Sequence, residues 1–159
     1  MDDRSKITSL EKRLTGPPAA PEALVADLET LADLYIQADS HVPALETIDR
    51  LLSLPAARGL APARRSVLQL KAASCRRARG EAQAGLAQLR EGMRELPPGA
   101  ETLRAQFTLE IAATELQLGR IAEAGKSANA AIEMGDRLGD LTISAQALEL
   151  LGHFAYREG

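Results

Sequence analysis

A chain of 159 residues is the size of one ordinary domain or a short array of repeats. Its 29 alanines and 25 leucines, against ten valines and isoleucines and four aromatics, favour helix and exclude a β-sandwich or barrel. With 45% hydrophobic and 26% charged residues it is not a disordered chain, and a net charge of -3 is too small to direct the whole molecule to nucleic acid or an anionic membrane.

Proline and glycine divide the chain into eight segments with helical apolar spacing, at residues 3–14, 21–38, 42–54, 62–79, 81–95, 101–118, 121–137 and 141–158. The first places Ile7, Leu10 and Leu14 on one face and ends at Gly16-Pro17-Pro18. The second is lined by Leu24, Leu28, Leu31, Leu34 and Tyr35, and the third by Leu45, Ile48, Leu51 and Leu52. Pro21, Pro43 and Pro62 stand near helix starts, where a missing N–H costs nothing. Asp140 is placed to cap the last segment. No segment alternates with period two, and none approaches the ~20 apolar residues needed to cross a bilayer. The expectation is an all-α fold of about eight helices.

The breaks closing the longer helices fall at Asp39, Gly80, Gly119 and Gly159, about 40 residues apart. Each of the first three precedes a shorter, alanine-rich helix. A helix pair recurring at a fixed period marks a solenoid, in which each hairpin buries its apolar face against the next.

In the first pair Leu28, Leu31, Ala32 and Tyr35 are followed by Ala44, Ile48, Leu51 and Pro55; in the second Gln69, Ala72, Ala73 and Arg76 by Gly85, Leu89 and Pro97. In the third Ile111 and Ala112 precede Ile121, Ala124, Ala128 and Ala131, with Thr108 and Glu115 off pattern. The last segment reads Leu148-x2-Leu151-Gly152-x2-Ala155. These pairs resemble tetratricopeptide repeats, whose pattern is W-x2-L-G-x2-Y, then A-x3-F, then P. The period near 40 exceeds the usual ~34 and lies nearer the longer repeats of bacterial regulators and of HEAT-like arrays.

The resemblance implies a right-handed α-solenoid of helix-turn-helix repeats over 21–57, 61–98, 100–138 and 140–159, the last incomplete, preceded by a helix or cap at 1–16. Small residues at Ala32, Ala73, Ala112 and Gly152 would let paired helices approach, met by Ala44, Gly85 and Ala124. Gly159 falls midway through a fourth repeat, so the front piece of a longer array is expected rather than a capped end.

No catalytic constellation, phosphate-binding loop or metal-ligand cluster is present, and no cofactor is expected. His41 reads as an exposed turn residue. The lone Cys75 fits a reducing cytoplasm and reads as a small buried hydrophobe rather than a thiol activated by Arg76 and Arg77. Residues 58–79 carry seven bases and no acid, a belt expected to meet acidic neighbours and solvent.

By the resemblance, the first helices form a concave groove for a partner segment. Leu70, Ser74, Arg77, Leu109, Ala113, Leu116, Gln146, His153 and Tyr156 would line it, with Glu29, Asp33, Ile36, Gln37, Lys71, Gln117 and Glu149 on the same surface. The leucines suit an amphipathic helix, or else belong to the core between repeats. The expected function is a non-enzymatic protein-interaction scaffold. The run from Gly135 to Gly152 resembles repeats of bacterial transcriptional and signalling regulators, which implies the N-terminal sensory or assembly module of a larger one. The alternative is self-association through the last helix, burying Leu148, Leu151 and Phe154. Nucleic-acid binding through the basic belt is disfavoured, because no aromatic stands there to stack on bases.

Overall fold

A computed structural model describes residues 2–17 and 19–158, the side chains of Phe154, Arg157 and Glu158 excepted. It is all-α, with eight α-helices, one 3-10 turn and no strand among the described residues. The helices are α1 (Asp3–Leu14), α2 (Pro21–Gln37), α3 (His41–Ser53), α4 (Pro62–Ala78), α5 (Ala82–Glu95), α6 (Glu101–Gln117), α7 (Ile121–Leu138) and α8 (Leu141–Glu158). The 3-10 turn, Pro55–Gly59, packs on α2 and α3 and buries Ala57, where the sequence shows only a proline-glycine break.

Local chemistry sets the helix ends. Asp2 accepts the Ser5 amide at 2.8 Å to start α1, and Asp140 accepts those of Thr142 and Ile143 at 3.1 and 3.2 Å to start α8. At the other ends of α2, α4, α6 and α7 one left-handed residue closes the helix: Asp39, Gly80, Gly119 and Gly139. The residue after each donates its amide to a carbonyl five positions back, as in Glu81 to Arg76 and Arg120 to Glu115, both at 2.9 Å. Asp39 holds φ 56° without glycine's freedom, and its carboxylate meets His41 Nε2 at 2.9 Å.

The chain divides into two compact units, Met1–Ala61 and Pro62–Gly159. The first therefore groups α1 with α2 and α3, whereas the sequence reading sets residues 1–16 apart from an array over 21–159. Hydrophobic contact is the reason: Leu10 is buried with Leu31 and Leu34, and Ile7, Leu14 and Tyr35 pack around them. Arg13 adds an ion pair to Asp27, with Nε 2.7 Å from Oδ2, and the Tyr35 hydroxyl donates to Glu11.

Burial, and then the Glu11 hydrogen bond, push the Tyr35 phenol from 10.0 up to about 12. A raised folded value means that this contribution is intact below the unfolded value and is lost as pH rises through the folded one. Urea midpoints are expected to fall between about pH 10 and about pH 12, and the fall should be shallower in Tyr35→Phe. Identical pH slopes in the two proteins would show that the phenol makes no such contribution.

In the second unit α4 pairs with α5 and α6 with α7, α5 packs on α6, α7 packs on α8, and α6 also touches α4 and α8. Phe107, Ala73, Leu89 and Leu96 form one buried cluster; Ala105, Ala131, Ile143 and Ala147 form a second; Ala112, Ala124 and Ala128 form a third. Small residues dominate where helices cross. A Cβ at Gly85 would lie 3.1 Å from the Ala73 carbonyl, so α4 and α5 touch nearly backbone to backbone there. Buried threonine hydroxyls bond within their own helices, Thr108 to the Arg104 carbonyl at 2.8 Å and Thr114 to that of Glu110 at 2.7 Å.

Candidate functional site

Helices α4, α6 and α8 bring one face each to a shared cleft in the second unit. The floor is apolar and half-buried, made by Leu109, Ala113 and Leu116 at i, i+4 and i+7 on α6, with Leu150 from α8. Arg77 and Glu110 form one wall, with the arginine Nε donating to Glu110 Oε1 at 2.6 Å. Gln117 Nε2 donates to the Arg77 carbonyl at 3.0 Å and ties α6 to the end of α4. Gln146, Glu149, His153 and Tyr156 rise along the α8 side. Two hollows of about 290 and 350 Å³ share Arg77, Ala113, Leu150 and His153, so the cleft is continuous.

Seven of the nine residues assigned to a groove from sequence lie here: Arg77, Leu109, Ala113, Leu116, Gln146, His153 and Tyr156. Leu70 and Ser74 do not line it. Leu70 packs against the cluster of Ala73, Leu89, Leu96 and Phe107, and Ser74 is half-buried. The core alternative also holds in part for the leucines that do line it. Leu109 packs on the Ala105 cluster, and Leu116 and Leu150 pack on the Ala112 cluster, each with one side left to the cleft. Sequence reasoning missed Glu110 and Leu150. Their signal was helical spacing, since Glu110 stands three residues before Ala113 and Leu150 three before His153.

No family model matches the sequence, and no curated protein matches it. Among solved structures, the chain is similar to the crystal structure of BtubC (BKLC) from P. vanneervenii, with a TM-score of 0.70 at 18% identity. The match covers 98% of this chain and 64% of that one, so this chain spans just under two thirds of that protein's length. The likeness is one of fold.

Of the positions expected to pack helix against helix, Leu28, Leu31, Ala32, Ala44, Ile48, Ala112 and Ala124 are buried. Tyr35, Ile111 and Leu151 are half-buried. Leu148 and Gly152 instead stand in solvent, because α8 packs on α7 and α6 through Ile143, Ser144 and Ala147. The off-pattern Glu115 is buried and accommodated. It accepts from Arg90 Nη2 at 3.1 Å and from Ser127 Oγ at 2.8 Å, so neighbours on α5 and α7 satisfy it.

The C-terminal part of the basic belt is engaged by carboxylates. Arg76 and Arg79 meet Glu81 at 3.5 and 3.1 Å, and Arg77 meets Glu110. Cys75 is buried, and burial together with the Glu110 charge pushes its thiol up, opposite to the activation that flanking arginines would bring. His41 is half-buried rather than exposed, because its Nε2 bonds to Asp39 and its Nδ1 is enclosed. A separate hollow of about 290 Å³ in the first unit lies among Glu11, Leu31, Tyr35, Pro43, Glu46 and Arg50, and the sequence signalled nothing there. Among the described residues no group of three or more His, Cys, Asp or Glu is placed to hold a metal, and no helix is long and apolar enough to cross a membrane.

Proposed function

We propose that this chain is a tetratricopeptide-like helical-repeat scaffold without catalytic activity, which holds an amphipathic helix of a partner protein in the α4–α6–α8 cleft. The observation that carries the reading is the cleft itself. An apolar floor of Leu109, Ala113, Leu116 and Leu150 with polar walls matches the two faces of such a helix, apolar side down and polar sides to Arg77, Gln117 and Glu149. The repeat reading draws support from the left-handed turns that close α2, α4 and α6 at Asp39, Gly80 and Gly119, 41 and 39 residues apart; α7 closes in the same way at Gly139. A right-handed solenoid with a period near 40 residues is the architecture that this spacing favours. By analogy with bacterial regulators, the setting is the cytoplasm and the role is sensory or assembly, as part of a larger protein.

Helical peptides selected on the wild-type chain from a displayed library are the direct test. Their affinity is expected to drop about tenfold or more for Leu116→Asp, and similarly for Ala113→Gln, which fills the floor without placing a charge in the core. Far-UV spectra check that both variants remain helical. Peptides that bind wild type and both variants equally would remove the cleft from consideration.

A further inference from the structure

Charge is unevenly divided along the α4–α6–α8 cleft. Arg77 is the only arginine, lysine or carboxylate lining the larger hollow, of about 350 Å³. The smaller hollow, of about 290 Å³, sets Glu110 and Glu149 against the same arginine. Arg77 Nε is committed to Glu110 Oε1, in a pair partly shielded from water, with the arginine side chain 31% exposed and the glutamate 16%. The other guanidinium nitrogens make no hydrogen bond or ion pair among the described residues, so an oriented arginine keeps donors free for a second carboxylate. With Glu110 matched to Arg77, the exposed Glu149 is left as the uncompensated charge of the smaller hollow, and it has no ion pair among the described residues.

We propose that the partner helix carries an acidic residue toward the larger hollow and a basic residue toward the smaller, about two turns apart beside its apolar stripe. The inference rests on the reading of the cleft as a helix-binding site and adds the charge pattern of the occupant. The spacing comes from α6, where Leu109 lines only the smaller hollow and Leu116 only the larger, and seven residues of helix span ~10.5 Å. The acid meets the free nitrogens of Arg77, and the base meets Glu149. A helix acidic at both ends would set a carboxylate against Glu110 and Glu149, and one basic at both ends would set a cation against Arg77. The connecting helices stay clear of the cleft. α5 packs on α4 at Ala73 and α7 on α6 at Ala112, and the residues lining both hollows all come from α4, α6 and α8.

Helical peptides selected on the wild-type chain from a displayed library should be enriched in one acid and one base at that spacing. Against a synthetic copy of such a peptide, Arg77→Gln is expected to weaken binding about tenfold, and to cost little once the peptide's acid is replaced by glutamine. Glu149→Lys should weaken it about threefold, and exchanging the peptide's base for glutamate should restore it. Glu149 is exposed, so this second variant keeps its fold where Arg77→Gln leaves Glu110 without its partner. Peptides that lose binding to Leu116→Asp yet show no charge preference, or that bind both charge variants as they bind wild type, would overturn the inference and leave the cleft reading standing. Peptides indifferent to Leu116→Asp, or a library that yields no binder, would overturn both. So would self-association of the chain that Leu116→Asp abolishes in sedimentation runs, since a second copy would then fill the cleft.

Discussion

Replacing Phe107 with alanine should destabilise the second unit by about 3–5 kcal/mol, a large part of the ~5–15 kcal/mol that holds a domain folded. The ring is fully buried among Ala73, Leu89 and Leu96, with Leu70, Met93, Leu103 and Ile111 around it, and it joins α4, α5 and α6 in one cluster. Its edge rests on Gly92, where a Cβ would lie 2.7 Å from Phe107 Cε1. Gly92→Ala should therefore also destabilise, by about 1–3 kcal/mol from overpacking, although alanine is the better helix former. In the Phe107→Ala background the same change meets no ring, and its cost should vanish or reverse. Denaturant melts of the four proteins measure this coupling. Additive effects would mean that the glycine does not seat the ring.

At Gly135 the same substitution is expected to be worse and not open to rescue. A Cβ there would lie 2.5 Å from Ser144 Oγ, 3.0 Å from the Ser144 amide nitrogen and 3.1 Å from the Asp140 carbonyl. Two of these three atoms are backbone at the start of α8, so a side-chain movement can relieve only the hydroxyl contact. Gly135→Ala should cost about 2–3 kcal/mol or more and loosen the α7–α8 hairpin, including the Ser144 Oγ bond to Asp136 Oδ1 at 2.7 Å. Adding Ser144→Ala removes the hydroxyl contact but leaves both backbone contacts, and most of the loss should persist. Full recovery in that double variant, read by thermal melts, would place the strain in the hydroxyl alone.

These two glycines show how far the sequence could be read. Both fall inside helical patterns, where glycine is locally unfavourable, and nothing near them in the chain explains the choice. The explanation arrives from 15 residues away at Phe107 and from Ser144, through the closeness of helices. Glu115 is a similar case. Against the repeat pattern it is a mismatch, yet it is buried with an arginine from α5 and a serine from α7. Leu70 shows the converse. It shares the periodicity that puts Leu109 and Leu116 in the cleft, but the Phe107 cluster takes it, and periodicity cannot separate a core face from a cleft face a quarter-turn away.

The sequence by itself determined the eight helices, their ends to within a residue or two, the capping by Asp140 and the burial of Cys75. Those features depend on neighbours within a turn or so of the chain: apolar spacing, a proline that cannot donate, a carboxylate beside free amides. Tertiary structure alone decided which half-buried leucines face the cleft, how Glu115 is satisfied, and that α8 presents Leu141 and Leu148 to solvent. Each of these depends on which helix lies across from a given face, and the local pattern is the same whether that face is covered or bare.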